Sequence, residues 1–477
     1  MNADVLMRDW TGAIDETYFT ERQRRMNGGS EPPPLFDRQP READVDDDDD
    51  EVEVHLGSKR TTTLPTKSST IITAPWPAPP DQAAFHGLAG RVVDLADPYT
   101  EADTVAVLTT FLAAFGCALN AGPHARVGPE RHPARLFVAL VGSSSTARKG
   151  TSWAPVRELL ALADPDFIAH RIVSGLGSGE ALIHAVRDGD GDKDQGVLDK
   201  RALVFAPEFA TILRVMNRQG SLLSGTLKEA WDSGRLQNLV KGNPATATGA
   251  HVSIVAHTTA DEMARDLTDV DARSGFGNRF IYVAVRRSKY LPSPPDWDDR
   301  GVTTMAHEVG AALQVARTRS RLSRDPAADR RWAEVYGHLT RDRHGLAGIL
   351  TSRAEAQVLR LSLVYALLDG ASSIGLPHLE AALAVWDYAE RSAVFIFGAR
   401  TGDPIADRIL AEVGGGRRSR SDLHDLFGRH VGRDRIESTL VRLVDEGRVR
   451  RWTESTAGRP IEFVEALRDA KEARYAR

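Results

Sequence analysis

The chain has 477 residues, of which 42% are apolar and one, Cys117, is a cysteine. This length allows two or three domains with a large hydrophobic core, and a single cysteine excludes an internal disulfide framework. Because no apolar run approaches the length of a membrane span and no signal-peptide pattern is found, we expect a cytoplasmic protein without membrane contact. The formal net charge of −5 does not suggest a nucleic-acid-binding protein, but residues 42–53 contain nine carboxylates and the remainder is slightly basic.

Residues 1–80 are predicted to form a disordered, acidic N-terminal region. The proline triplet Pro32–Pro34, the acidic run and the polar string 58–70 cannot bury enough apolar surface to offset the entropy of ordering. The acidic run is interpreted as solubilising, with DNA mimicry as an alternative. Residues 81–300 are predicted to form a nucleotide-binding core that opens with apolar helices.

The segment RLFVALVGSSSTARKGTSWAPVRELLALAD, residues 135–164, predicts a buried strand, a loop of small residues and a helix. This order is typical of a phosphate-binding loop, in which backbone N–H groups, a helix N-terminus and a lysine hold the phosphates. The chain has only nine lysines among 61 basic residues, which makes Lys149 conspicuous. The predicted cofactor-binding residues are Gly142, Ser143, Ser144, Ser145, Thr146, Arg148, Lys149, Gly150, Thr151 and Ser152.

The loop departs from the standard pattern G-x-x-x-x-G-K-[ST]. Gly142 lies seven residues before Lys149, Arg148 replaces the second glycine, and Gly150 stands where a hydroxyl would bind magnesium. Thr151 is therefore the predicted magnesium ligand, with Ser152 as the alternative. An ordinary strand–loop–helix turn, whose hydroxyls cap the helix, is the competing interpretation.

Three further apolar strands are predicted at residues 201–208, 249–259 and 278–286. The first ends in Glu208, which could activate the attacking water, although Pro207 stands where an aspartate usually supports magnesium. Glu208 could instead be a carboxylate at a helix N-terminus. The second ends near His257, predicted to sense the terminal phosphate or to be a core histidine. Arg273 and Arg279 bracket the glycine-rich turn at the start of the third, and either could reach a neighbouring subunit's nucleotide or form a surface or ion-pair contact.

These segments together resemble a helicase-like P-loop ATPase family that is known as a domain of unknown function. The resemblance covers residues 85–398 and rests on FLAAFGCALNAGPHARVG, LFVALVGSSSTARKGTS, SGLGSGEALIHAVRD, the stretch from LVFAPEFATILRVMNRQG to SIVAHTT, and SGFGNRFIYVAVRRSKYLP. Members occur in bacterial, plasmid and phage replication proteins, often beside primase–polymerase modules. The resemblance implies an α/β, RecA- or AAA-like P-loop NTPase core that binds ATP and Mg²⁺ and acts on DNA.

Residues 301–398 are strongly helical in pattern and are predicted to form a helical lid. In AAA-like proteins the lid supplies an arginine to the nucleotide, and Arg353 is the candidate. Residues 399–477 predict three helices, at 403–413, 419–427 and 434–446, and then two strands around a glycine-containing turn, as in a winged helix. Arginines cluster in this region, and the predicted DNA contacts are Arg433, Arg435, Arg442, Arg448, Arg450 and Arg451.

Two functions fit these observations. The first is an ATP-hydrolysing, helicase-like protein that acts on DNA in replication of a chromosome-borne or mobile element. It would form a homo-oligomer such as a ring and work beside a primase or another replication protein. The second is a nucleotide-switched DNA-binding or regulatory protein with little ATP turnover. Pro207 and the atypical loop favour the second.

Overall fold

A computed structural model describes residues 75–467 except 192–193, 240–243, 344, 399, 402, 429 and 456–458. The predicted disordered region, up to residue 74, and the last ten residues lie outside this part of the chain. None of the helices within it is long and apolar enough to cross a membrane.

Five parallel strands form the central sheet, in the order β4–β5–β8–β3–β9. They are β3 (Phe137–Val141), β4 (Ile172–Val173), β5 (Arg201–Ala206), β8 (His251–Thr258) and β9 (Phe280–Ala284). Every residue of β3, β8 and β9 is buried, as expected of parallel strands covered on both faces. The predicted α/β class is therefore confirmed, and the four apolar runs predicted as strands all lie in this sheet.

The connections that leave β3 and its neighbour β8 run in opposite directions across the sheet. After β3 it passes β8 and β5 to reach β4 at one edge, returns through β5 and β8, and then passes β3 to reach β9. In open α/β sheets, ligands bind outside the carboxyl ends of the strands at such a switch point.

Two hydrophobic cores cover the two faces. Because side chains alternate along a strand, Val138 and Leu140 of β3 belong to one core, while Phe137, Ala139 and Val141 belong to the other. Helices on the first face are α1 (Gly87–Ala96), α2 (Thr104–Ala118), α3 (Trp153–Ala163), α4 (Pro165–His170), α10 (Asp299–Arg317), α11 (Pro326–Leu339), α13 (Ala354–Leu368) and α14 (Leu376–Phe397). The second core includes residues of α5 (Gly179–Ala185), α6 (Phe209–Met216), α7 (Leu223–Asp232), α8 (Ala260–Asp266), α9 (Asp269–Arg273) and α12 (Gly345–Leu350).

Most of the helices predicted as a lid share their core with α2, which precedes β3, and with α3, which follows it. Val358 and Leu361 of α13 lie in the same buried cluster as Phe111 of α2 and Leu159 of α3. Two short hairpins complete this region, β1 (His124–Val127) with β2 (Glu130–Pro133), and β6 (Leu236–Asn238) with β7 (Ala245–Ala247). Residues 301–398 are thus mostly helical as predicted, but α10, α11, α13 and α14 pack on the first face of the sheet and α12 packs in the second core.

The C-terminal region has its own small core. It contains α15 (Pro404–Val413), β10 (Arg418–Ser419), α16 (Arg420–Leu426), α17 (Arg433–Asp445), β11 (Val449–Glu454) and β12 (Ile461–Ala466), with an antiparallel sheet in the order β10–β12–β11. The three predicted helices and two predicted strands are present. The short strand β10 is an addition that the sequence pattern did not indicate.

Candidate functional site

The loop after β3 is anchored to the sheet at its first residue. The Gly142 N–H donates to the Thr258 carbonyl at 3.2 Å, at the end of the neighbouring strand β8. A Cβ at position 142 would lie 2.3 Å from the Val285 carbonyl oxygen and 2.8 Å from the Ala147 Cβ. Glycine is therefore required here because the loop must pass close to β9.

The turn itself holds two non-glycine residues in the left-handed region, Ser145 at φ 50° and Arg148 at φ 53°. Such strain concentrates at ligand-binding sites. The backbone N–H groups of Ser143, Ser144 and Ser145 find no acceptor in the described part of the chain. The loop therefore offers the unpaired donors that bind an anion at a backbone nest.

Lys149 folds back over this loop. Its Nζ donates to the carbonyls of Gly142 and Ser143, both at 2.8 Å, and burial lowers the pKa of its ammonium group, while the charge of Glu262 acts to raise it. Lys149 is the first residue of a 3₁₀ turn, Lys149–Ser152, which leads into α3. The ammonium group thus lies beside the N-terminus of a helix, where an anion is stabilised.

The two candidate magnesium ligands differ in exposure. The Thr151 hydroxyl donates to the Arg148 carbonyl at 2.7 Å and the residue is exposed. The Ser152 hydroxyl donates to the Lys149 carbonyl at 2.8 Å and the residue is fully buried. The surroundings therefore favour Thr151, whose oxygen can still act as a ligand, and give Ser152 a structural role.

The strand register brings three candidates to the carboxyl edge of the sheet, namely the start of the loop at Gly142, His257 and Glu208. Leu140 of β3 pairs with His257, and Ala206 of β5 pairs with Ala256. Glu208 is exposed and is the N-cap residue of α6, and its carboxylate makes no capping hydrogen bond. Since β8 lies between β3 and β5, these two strands are about 10 Å apart, or two strand spacings.

His257 is a buried, neutral histidine at this edge. Burial, and then the charge of Lys149, lower the pKa of its ring to about 4. Its ring contacts Phe205 edge-on, and its Nε2 has no hydrogen-bond partner among the described residues. The two alternatives, phosphate sensor and core histidine, are thus both compatible with its position.

Glu262 is a residue at this edge that the sequence-based candidates do not include. Its carboxylate accepts from the Thr258 hydroxyl at 3.1 Å and the Thr259 N–H at 2.9 Å, and the Lys149 charge contributes to the lowering of its pKa. The signal was present in the sequence, because Thr259 and Glu262 have the spacing of a helix capping box.

Arg279 and Arg353 lie at the opposite, amino edge of the sheet. Arg279 directly precedes β9, is buried, and forms an ion pair with Asp232 at 2.5 Å. Arg353 lies 3.7 Å from the same carboxylate, and both guanidinium groups lie over the Trp231 ring. Arg353 therefore does not lie at the loop 142–152 of its own chain, because that loop follows the carboxyl end of β3.

The same cluster contains two fully buried arginines. Arg135 donates to the Ala230 carbonyl at 2.5 Å, and Arg360 donates to the Trp231 carbonyl at 3.0 Å. These carbonyls end helix α7, whose dipole presents partial negative charge there. Burial lowers the pKa of the Arg135 guanidinium to about 10. Of the alternatives given for Arg279, the structure shows the ion pair. Arg273 is exposed at the end of α9.

The described residues include one group with the composition of a metal site, His86, Asp369 and His378. The Nε2 atoms of the two histidines lie 2.8 and 3.1 Å from the same Asp369 oxygen. However, the Gly375 N–H donates to His378 Nδ1 at 2.8 Å, so Nε2 must carry the hydrogen of the neutral ring. A hydrogen-bonded triad, rather than a metal site, satisfies these contacts.

Most of the predicted DNA-contacting arginines of the C-terminal region are paired with carboxylates. Arg435 and Arg442 lie 3.3 and 2.5 Å from Asp403, Arg450 lies 2.5 Å from Glu465, and Arg451 lies 2.9 Å from Glu437. Arg433 is exposed in the first turn of α17, and Arg448 is half-buried just before β11. The region between residues 400 and 467 holds 13 arginines and 12 acidic residues, so its net charge is close to zero.

No protein-family model matches this chain, and comparison with curated proteins gives no significant match.

Replacing Arg442 by alanine is expected to destabilise the C-terminal region by about 1–2 kcal/mol. Asp403 is almost completely buried and caps α15, so loss of its closest cation leaves a poorly compensated buried charge. Urea unfolding followed by hydrogen exchange of α15 measures the change. Arg433→Ala is the control, and it should change stability by less than about 0.5 kcal/mol. Equal destabilisation by both variants would contradict the assignment.

The buried His257 predicts an acid-sensitive fold. The pKa of His257 lies near 4 in the folded chain and near the ordinary 6.5 in the unfolded chain. Below pH 6.5 the unfolded chain therefore binds a proton that the folded chain does not, and the free energy of unfolding decreases as the pH falls from 6.5 toward 4. At pH 5 the loss is about 2 kcal/mol. In urea unfolding at pH 7 and pH 5, His257→Gln should remove that part of the pH dependence. His307→Gln, at an exposed histidine, should retain it, and identical pH dependence in the two variants would overturn the prediction.

Proposed function

We propose that this chain binds ATP–Mg²⁺ at the loop 142–152 and hydrolyses it, as a helicase-like ATPase that acts on DNA in replication. In this proposal, the loop N–H groups and Lys149 hold the phosphates, and Thr151 contributes a ligand to the magnesium. Glu208 activates water, and His257 senses the terminal phosphate. The resemblance to replication ATPases supports the DNA part of the proposal.

One observation carries the ATPase proposal, namely the position of the loop within the strand order. The loop follows a central strand, the acidic residue follows β5, and a strand that ends in a polar residue lies between them. RecA- and AAA-like ATPases have this order. A spacing of about 10 Å between the loop and the Glu208 strand leaves room for a terminal phosphate and a water molecule.

The residues present fit a triphosphate. A small cationic binding site is formed by the N–H groups of Ser143–Ser145, by the close approach of the backbone at Gly142, and by Lys149, which folds back over the loop. Lys149 donates to two backbone carbonyls, and an incoming phosphate would exchange these for charge-assisted hydrogen bonds, which are roughly twice as strong. Bound magnesium would supply charge neutralisation on the phosphate oxygens.

Assembly and DNA binding are further parts of the proposal. Arg273, exposed at the amino edge of the sheet, is the arginine placed to reach a neighbouring subunit in a homo-oligomer. The C-terminal region, proposed as a winged helix, would contact DNA through exposed arginines such as Arg433. Because Arg435, Arg442, Arg450 and Arg451 pair with carboxylates, few phosphates would be neutralised, and we expect this contact to be weak and only modestly salt-dependent.

A second function, a nucleotide switch with little turnover, is favoured by Pro207. This residue occupies the position before Glu208, where related ATPases carry the aspartate that supports magnesium. Proline has no carboxylate and no N–H, so the site would bind nucleotide through the loop but would hydrolyse it slowly.

Replacing Lys149 by methionine is expected to weaken ATP–Mg²⁺ binding by about tenfold or more, because a charge-assisted hydrogen bond contributes about 1.5–3 kcal/mol. Titration calorimetry of the full chain measures the affinity. Lys228→Met, at a half-exposed lysine of α7, is the matched control and should bind as the unchanged chain does. The proposal fails if the Lys149 variant keeps its affinity.

Replacing Glu208 by glutamine separates the two functions. If the chain is an ATPase, ATP binding should persist while phosphate release falls by about 100-fold or more, since a positioned general base contributes about 10²–10⁴-fold. Phosphate release is measured with and without single-stranded DNA. Turnover that is absent from the unchanged chain in every condition, with ATP binding intact, would exclude the motor and support the switch.

A further inference from the structure

A cavity of about 460 Å³ lies beside the phosphate loop, on the side of α3. Arg148 and Thr151 of the loop form part of its wall, so the cavity and the loop share a border. Its size falls within the range of small-molecule sites, roughly 300–1,000 Å³. It adjoins the edge of the site where the helix begins.

One wall of the cavity is a single face of α3. Thr151, Ala154, Pro155 and Glu158 have the spacing i, i+3, i+4 and i+7, which places them along the first two turns of one helical face. A ligand anchored by its phosphates at the helix N-terminus would therefore extend along this face, away from Lys149.

The opposite wall is aromatic and apolar. Tyr99 and Trp297 pack edge-to-face with ring centroids 4.9 Å apart, and Leu291 and Pro294 complete this wall. Both aromatic residues are only partly buried, so ring surface is available to a ligand. Aromatic side chains are the usual stacking partners of nucleobases.

Hydrogen bonds and ion pairs between two distant segments hold this wall in place. Glu101 accepts from the Leu291 N–H at 2.8 Å, and Lys289 forms an ion pair with Asp97 at 2.6 Å. Glu101 also pairs with Arg148 at 2.7 Å. The Leu291 N–H and the charges of Arg287 and Arg148 lower the pKa of Glu101, against the opposing effect of burial. The wall is therefore preformed and tied to the phosphate loop itself.

We propose that this cavity binds the base and ribose of a purine nucleotide whose triphosphate lies in the loop. The inference rests on the proposed phosphate site and extends it by identifying what recognises the other half of the ligand. The base stacks against Tyr99 or Trp297, and the ribose lies along the α3 face at Ala154 and Pro155.

The test compares ATP with inorganic tripolyphosphate, which shares the phosphates but lacks the nucleoside. Both are titrated with Mg²⁺ against the full chain by calorimetry. Ala154→Leu fills the cavity and Trp297→Leu removes a stacking surface, whereas Ala161→Leu, further along α3 and outside the cavity wall, is the matched control. Binding of tripolyphosphate reports whether each variant retains a folded phosphate loop.

We expect Ala154→Leu and Trp297→Leu to weaken ATP binding by about tenfold or more while tripolyphosphate binding stays within about twofold. ATP and GTP should bind the unchanged chain more tightly than CTP and UTP, because a purine offers the larger stacking surface. The control variant should match the unchanged chain for every ligand.

Three results would overturn the inference. The first is an unchanged ATP affinity in both cavity variants, and the second is equal loss of ATP and tripolyphosphate, which places the effect on the loop. The third is equal affinity of the unchanged chain for ATP and tripolyphosphate.

Each of these results leaves the proposed phosphate site intact, provided that Lys149→Met still weakens the binding of both ligands. Failure of the unchanged chain to bind either ligand would instead remove the proposed function together with this inference.

Discussion

The parallel pairing of β3 with β8 on one side and β9 on the other determines where each candidate residue can lie. In this register Val141 pairs with Thr258, and the next residue, Gly142, donates its N–H back to Thr258. The loop therefore begins level with the end of β8, and His257 lies one residue behind it. The same geometry directs residues that precede strands, such as Arg279, to the far edge. A site built at the carboxyl edge can use only side chains that follow strands or that belong to the helices beside it.

The loop is closed on itself by its own lysine, and this closure is compatible with ligand exchange. Lys149 donates to two carbonyls of the strand-to-loop turn, while neighbouring N–H groups point elsewhere without an acceptor. The exposed N–H groups of this turn thus have no acceptor within the described part of the chain, whereas the two carbonyls have a donor. An anion corrects this imbalance, because it brings acceptors to the N–H groups and charge to the ammonium. The positive φ values at Ser145 and Arg148 are the conformational cost of presenting those donors.

The sequence predicted the sheet well because buried parallel strands are continuous apolar runs, and the loop because its small residues follow such a run. Residue patterns could not reveal which layer a helix joins: the apolar stripe of α13 looks the same whether it covers the sheet or forms a separate lid. Arg353 was placed at the nucleotide for that reason, whereas the fold places it beside Trp231 and Asp232. The cavity wall was equally inaccessible, since Tyr99 and Trp297 are almost 200 positions apart and neither belongs to a repeating pattern.

In the proposed function, coupling between nucleotide and DNA would require two arrangements of the chain that differ in affinity for each ligand. The C-terminal region limits what DNA can gain, because Arg435, Arg442, Arg450 and Arg451 already pair with carboxylates. Phosphate contact by these side chains would first require breaking those pairs, and Asp403 would then be left buried without a cation. Any large gain in DNA affinity must therefore come from a rearrangement that also gives Asp403 a new partner, or from summing weak contacts over several subunits. The second route needs only the exposed arginines of each subunit, and it makes DNA binding depend on assembly as much as on the nucleotide.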